Sequence, residues 1–150
     1  MVDRKQISHS LVKTLRKVPM FEGLGDHDLL HIVGLSANLQ WPEDGVVFTD
    51  GSVGDALYIV LSGRVRIYAT VDGKEIEVAS IGPGDFFGEL SLMREEPHSK
   101  SAQATEQTEL MAIPKDSFAS LLASDPHLRR VVDQRISERL AANDQALNLN

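Results

Sequence analysis

The sequence predicts a mainly β fold with flanking α, an antiparallel β-roll or jelly-roll barrel with N-terminal helices and a long C-terminal helix. Three observations support this prediction. Between Leu39 and Ile113 the apolar residues recur with a period of two, as in half-buried strands. Gly, Pro and Asp divide that region into about eight short segments, which is typical of an all-β roll. On both flanks the apolar spacing changes to three and four, as in amphipathic helices.

The N-terminal flank predicts two helices. The apolar positions of the first are Leu11, Leu15, Val18 and Phe21. Pro19 ends or kinks this helix, because proline cannot donate a backbone hydrogen bond. The second helix runs from His27 to Leu35, with Asp26 as its N-cap. Its predicted buried residues are Leu29, Leu30, Ile32 and Val33.

The central region predicts strands between successive turns. A turn at residues 42–45 precedes a strand at Val46–Phe48, and the pair Asp72–Gly73 closes a hairpin. The other predicted strands lie near residues 56–61, 64–70, 76–80, 101–105 and 109–113.

The C-terminal flank predicts a short helix from Ser117 to Ala123 and a long helix that begins at Pro126. The apolar stripe of the long helix contains Leu128, Val132, Ile136, Leu140 and Leu147. The positive charges of its arginines, which include Arg135 and Arg139, balance the negative charges of its acidic residues. The stripe is consistent with packing on the chain's own β-roll or with pairing between two copies. We expect a homodimer, because the stripe is longer than a small β-roll needs.

Length and composition indicate one domain of 150 residues. Its parts are an N-terminal helical lobe (1–38), a β-roll (39–114) and C-terminal helices (115–150). With a net charge of −7 and no basic cluster, we expect no binding of nucleic acid by this chain alone. The absence of cysteine excludes disulfides and zinc–thiolate sites. No signal core or membrane span is evident, so we expect a cytoplasmic setting.

The segment from Gly82 to Ala104 combines features that suit a small anionic ligand. Turn residues and two aromatics lead to Gly88 and Glu89, then to a short helical run from Leu90 to Glu96. Glycine lets an anion approach the backbone N–H groups at the start of a helix. A carboxylate at the same place suits a hydroxyl donor. A ribose phosphate carries both groups.

This segment resembles the phosphate-binding cassette of cyclic nucleotide-binding domains, as in protein kinase A regulatory subunits and the catabolite activator family. The matching residues are Phe87, Gly88, Glu89, Leu90, Ser91, Leu92, Pro97 and Ser101. The resemblance implies a jelly roll and cyclic AMP as the default ligand. It also implies that Glu89 accepts a hydrogen bond from the ribose 2′-hydroxyl, and that the final helix covers the ligand. Backbone N–H groups of Gly88, Leu90 and Ser91 would bind the phosphate.

His98 stands where the family has an arginine that pairs with the phosphate. Imidazole lacks the parallel pair of donors that a guanidinium offers to phosphate, and it is largely neutral near pH 7. His98 therefore either binds phosphate weakly or is an ordinary exposed residue. Lys100 either supplies the missing charge or is an exposed strand lysine, while Ser99 and Ser101 offer hydroxyls. Four apolar residues either wall the sugar and base or are ordinary core residues of alternating strands: Val65, Ile81, Phe86 and Phe87. The resemblance also implies that Asn143 contacts the base, because related proteins use a polar residue of the long helix at this position.

These features predict a regulatory binding module rather than an enzyme, and no cofactor beyond the cyclic nucleotide as a regulatory ligand. One alternative is a degenerate relative that binds no cyclic nucleotide and serves for interaction or dimerisation, or binds another anion. A cupin-like metalloenzyme is the third hypothesis. It is disfavoured because His98 is the only histidine between Val46 and Ile113. His27 and His31 are interpreted as surface residues.

Overall fold

The computed structural model describes the backbone of residues 11–148 and the side chains of residues 11–142. Helix α1 is described over residues 11–15, and a 3-10 helix follows at Pro19–Phe21. Helix α2 spans Asp26–Leu35. Helices α3 (Glu89–Arg94), α4 (Lys115–Ser124) and α5 (Pro126–Asn148) come later in the chain.

Two details of the N-terminal prediction are wrong. The N-cap of α2 is Gly25, and Asp26 makes no capping hydrogen bond, because its carboxylate pairs with Arg16. Leu30 is 39% exposed, whereas Leu29 and Ile32 are buried. One residue corresponds to about 100° of rotation around a helix, so Leu30 lies away from the face that its neighbour buries.

Within residues 11–148, eight antiparallel strands form two four-stranded sheets rather than a closed barrel. The first sheet contains β1 (Ala37–Trp41), β8 (Thr108–Pro114), β3 (Ala56–Ser62) and β6 (Phe86–Phe87). The second contains β2 (Val46–Phe48), β7 (Ser101–Ala104), β4 (Val65–Val71) and β5 (Lys74–Ile81). The pairs β1–β8, β2–β7, β3–β6 and β4–β5 are the connectivity of a jelly roll. The predicted fold class is confirmed.

Strand β3 explains why residues 56–61 are almost continuously apolar. Leu57 and Ile59 point toward the helices, where they join a core with α1, α2, α4 and α5. Tyr58 and Val60 point between the two sheets, into a second core. A strand that is buried on both faces has no solvent side on which to place polar residues.

Helix α5 packs its first turns on its own domain. Its start at Pro126 is as predicted, and the Asp125 carboxylate accepts a hydrogen bond from the Leu128 N–H at 3.1 Å. Leu128 and Val132 are fully buried, and Ile136 packs against the same core. The first half of the predicted stripe therefore covers the chain's own core. In the part of the chain that the structure describes, no helix is long and apolar enough to cross a membrane.

Candidate ligand-binding site

A cavity of about 110 Å³ lies between the second sheet and the segment that follows β6. The sheet lines it with Phe48, Ile67, Ala79 and Ile81. Strand β6 contributes Phe87, the segment that follows it contributes residues 88–91, 94 and 96–100, and α5 contributes Arg139. The sheet, the cassette and the last helix therefore meet at one site.

Gly88 determines the turn between β6 and α3. Its φ is 88°, in the left-handed region that residues with a Cβ rarely adopt. A Cβ at this position would lie 3.3 Å from the Ala56 carbonyl oxygen. Because α3 begins immediately after this turn, Glu89 occupies its first position and is only 2% exposed. The helix ends two residues earlier than predicted, since Glu95 adopts a φ of 53°.

Gly54 lets the loop before β3 approach the cassette closely. A Cβ on Gly54 would lie 2.0 Å from the hydroxyl oxygen of Ser91. The hydroxyl of the buried Ser91 in turn donates to the Gly88 carbonyl at 3.3 Å. The close approach of Gly54 to Ser91 places α3 beside the loop that leads into β3.

Two arginines of α5 bind the cassette. Arg139 Nη1 donates to Glu89 Oε1 at 2.5 Å, and Arg139 Nη2 donates to Asp85 Oδ1 at 3.1 Å and to the Phe86 carbonyl. Arg135 pairs with the other carboxylate oxygen of Asp85. The Arg139 guanidinium also lies 4.7 Å above the Phe86 ring centroid. The last helix is thus joined to the cassette by ion pairs and by a cation–π contact.

The contacts of Arg135 and Arg139 with the cassette were not predicted from the sequence, where both arginines count only toward the charge balance of the helix. Their spacing of four residues places both on one face of α5, which was a usable signal. Their partner Asp85 is separated from Arg135 by 50 residues, and sequence spacing cannot find such a contact.

His98 is buried at 6% exposure, so the interpretation of it as an ordinary exposed residue is wrong. The backbone N–H of His98 donates to the Ser52 carbonyl at 2.9 Å, and the His98 carbonyl accepts a hydrogen bond from the backbone N–H of Gly51 at 2.7 Å. These bonds hold the imidazole in a parallel stack on Phe48, with 3.6 Å between ring centroids. Burial lowers the pKa of His98, and Asp55 opposes this effect. The ring is therefore neutral at pH 7.

The cavity brings together most of the predicted site residues. They are Phe87, Gly88, Glu89, Leu90, Ser91, His98, Ser99 and Lys100. Lys100 is half-buried rather than exposed. The predicted wall residue Ile81 also lines the cavity, together with Phe48, Ile67, Ala79, Arg94 and Glu96, which the sequence analysis did not select.

Three other predicted residues lie elsewhere, and a fourth cannot be placed. Val65 is buried between the sheets, and Ile67, two residues further along β4, lines the cavity instead. Phe86 packs in the core on the helix side. Ser101 is buried, and its hydroxyl accepts a hydrogen bond from the Asp50 N–H at 3.0 Å, which is a structural role. The side chain of Asn143 lies outside the described residues.

The cavity carries more cationic than anionic side chains, although the chain as a whole is acidic. Among the described residues, its lining includes three cationic side chains, Arg94, Lys100 and Arg139. It includes two carboxylates, Glu89 and Glu96, and Glu89 is already paired with Arg139. The net charge of the whole chain is −7, so this excess of positive charge is local to the cavity.

The fold is a jelly roll with a cavity that is lined by its second sheet, the cassette and Arg139 of the last helix. The chain belongs to the cyclic nucleotide-binding domain family, because the family model described as "Cyclic nucleotide-binding domain" matches residues 39–125. This match confirms the family resemblance on which the sequence analysis relied.

Individual proteins agree with this assignment. The Cyclic AMP receptor protein of Thermus thermophilus is 34% identical over 132 residues, which are 87% of this chain and 61% of that protein. The crystal structure of Thermus thermophilus Catabolite Activator Protein matches with a TM-score of 0.76 over 87% of this chain and 62% of that one. The regulatory domain of Toxoplasma gondii PKA, solved with cAMP, has a TM-score of 0.81 at 22% identity, over 89% of this chain and 51% of that one. The chain spans about three fifths of the length of the Thermus protein.

The first prediction concerns the pair between Glu89 and Arg139. Replacing Arg139 by Ala leaves a buried carboxylate without its cation, which we expect to lower the free energy of unfolding by about 3 kcal/mol. Arg129→Ala is the matched control, because its ion pair with Asp133 is exposed on the same helix; its expected cost is below about 1 kcal/mol. Urea denaturation measures both, and equal losses in the two variants would contradict the assignment.

The second prediction concerns His98 and pH. The folded-state pKa lies below the ordinary value of 6.5, so between these two values the unfolded chain binds a proton that the folded chain does not. The stability contributed by neutral His98 is therefore fully present above about pH 6.5 and is lost as the pH falls below it. Chemical denaturation at pH 7.5 and 5.5 should show a smaller loss of stability in His98→Gln than in the unmodified protein. Exposed His127→Gln should keep the original pH dependence, and equal behaviour of the two variants would refute the prediction.

Proposed function

We propose that this chain is a ligand-sensing regulatory module, not an enzyme, with cyclic AMP as its ligand. The observation that carries this proposal is the buried Glu89 carboxylate, placed by Gly88 at a cavity with an excess of cationic groups. A ribose cyclic phosphate supplies both a hydroxyl for the carboxylate and an anion for the cations. Membership of the cyclic nucleotide-binding domain family supports this choice of ligand class.

Glu89 has separate oxygens for the ligand and for the helix. Oε1 accepts the hydrogen bond from Arg139, which leaves Oε2 for the ribose 2′-hydroxyl. The first N–H groups of α3 have no acceptor within that helix, so those of Leu90 and Ser91 can serve phosphate oxygens. Ile67, Ala79 and Ile81 provide an apolar surface for the base.

Regulation follows from the shared carboxylate. A ligand hydroxyl on Oε2 fixes the position of Glu89, and Glu89 fixes Arg139 and therefore α5. Ligand binding then favours the arrangement in which the cassette and the last helix are closed together, as a population shift. The cassette and α5 are accordingly the moving parts of the proposed switch.

A second candidate function is a domain that keeps the fold for interaction or dimerisation, without a cyclic nucleotide or with another anion. One observation favours it. The neutral His98, stacked on Phe48, occupies the position at which the family has an arginine that pairs with the phosphate. This position therefore carries no positive charge for a phosphate.

The third prediction separates these two functions. We expect cyclic AMP to bind the unmodified protein in titration calorimetry, and His98→Arg to tighten binding about ten- to a hundredfold, because a charge-assisted hydrogen bond is added. Glu89→Ala should weaken binding in both backgrounds. His127→Arg adds the same charge outside the cavity and should change nothing. No binding of cyclic AMP or cyclic GMP by His98→Arg would favour the second candidate.

We further propose a cytoplasmic homodimer formed through α5. The helix has 23 residues, yet among its described side chains the fully buried ones end at Val132. The side of the remaining turns that does not contact the cassette or the core is available to the same helix of a second copy. Leu140, half-buried at the end of the described side chains, is the apolar residue best placed for this contact.

The fourth prediction tests the dimer. Sedimentation equilibrium at tens of micromolar should give the mass of two chains, and Leu140→Asp should give one, since a carboxylate would be buried in the interface. Ile136 is unsuitable for this test because it packs on the chain's own core. Ala123→Asp, at an exposed position of α4, is the control and should leave the dimer intact. A monomer in the unmodified protein would exclude this interface.

A further inference from the structure

Arg94 is an arginine at the cavity that has no partner among the residues whose side chains the structure describes. It is the last residue of α3 and lines the cavity. Within residues 11–142 its guanidinium makes no hydrogen bond, ion pair or ring contact. The other arginine at the cavity, Arg139, is engaged with Glu89, Asp85 and the Phe86 carbonyl. Arg94 is therefore the cavity arginine whose donors are available to a ligand.

We propose that Arg94 pairs with the phosphate of the ligand and replaces the cassette arginine that position 98 lacks. The inference rests on the proposed cyclic nucleotide function. A guanidinium stays charged at any physiological pH and can donate two parallel hydrogen bonds to phosphate oxygens, whereas the stacked, neutral imidazole of His98 can do neither. Phosphate recognition has thus moved from the strand end of the cassette to the end of its helix.

The backbone between the two positions makes this exchange possible. Glu95 turns the chain sharply with a φ of 53°, and Pro97 follows, so that residues 94 and 98 both face the same cavity from the two ends of one short turn. An arginine side chain is long enough to move within such a cavity without displacing its backbone. Arg94 is exposed in this structure and loses no contact when it turns toward a ligand.

The neighbouring charged groups are less suited to this role. Lys100 is half-buried, already interacts with another group, and carries a point charge rather than a fork. Arg139 holds the buried Glu89, so its transfer to the phosphate would leave that carboxylate without its cation. Glu96 also lines the cavity and would repel the phosphate, so a cation is needed beside it to offset that charge.

Titration calorimetry with cyclic AMP tests the proposal on four variants of the full chain. We expect Arg94→Gln to weaken binding about ten- to a hundredfold, and Arg94→Lys to recover part of that loss. Lys100→Gln should weaken binding less than Arg94→Gln. Arg130→Gln is the control, because Arg130 is an exposed arginine of α5 that does not line the cavity. Since Arg94 has no partner among the described side chains, its variants should melt at the temperature of the unmodified protein.

The outcomes separate this proposal from the function on which it rests. If cyclic AMP binds the unmodified protein and Arg94→Gln equally well, or if Lys100→Gln causes the larger loss, Arg94 is not the phosphate partner, while the proposed function stands. If neither the unmodified protein nor His98→Arg binds a cyclic nucleotide, both proposals fail together.

Discussion

The ion pair between Glu89 and Arg139 is the interaction on which the rest of the site depends. It joins the first residue of the cassette helix to the last helix of the chain, in surroundings where Glu89 is 2% and Arg139 14% exposed. A buried carboxylate needs its cation, because leaving either charge unpaired costs several kcal/mol. Asp85 and Arg135 extend the pair into a network, so the position of α5 is set by the cassette rather than by apolar packing alone.

Much of the fold could be predicted from the sequence because local and global preferences agree. Three local signals agree with the fold. Alternating apolar residues specify the strands, the Asp72–Gly73 turn specifies the β4–β5 hairpin, and Pro126 specifies the start of α5. The predictions failed where tertiary contacts decide the outcome. Asp26 is drawn away from capping by Arg16, and Leu30 is apolar but lies on the exposed side of α2.

The candidate site shows the same division. The run from Phe87 to Ser91 could be placed at the cavity from sequence, since its glycine and carboxylate have a specific local spacing. His98 could not, because its burial depends on a stack with Phe48 and on backbone bonds to a loop some 45 residues earlier. Arg94 and Arg139 were missed for a related reason. Charged residues on helices are solvated by default, and only the folded chain shows which of them face a cavity.

Hydrogen–deuterium exchange with and without cyclic AMP tests the central claim, that one carboxylate links the ligand to the last helix. If Glu89 holds the ribose hydroxyl and Arg139 together, saturating cyclic AMP should slow exchange in two places. They are residues 85–94 of the cassette and residues 133–142 of α5. Slower exchange in the cassette with unchanged exchange in α5, at the same ligand occupancy, would contradict the account.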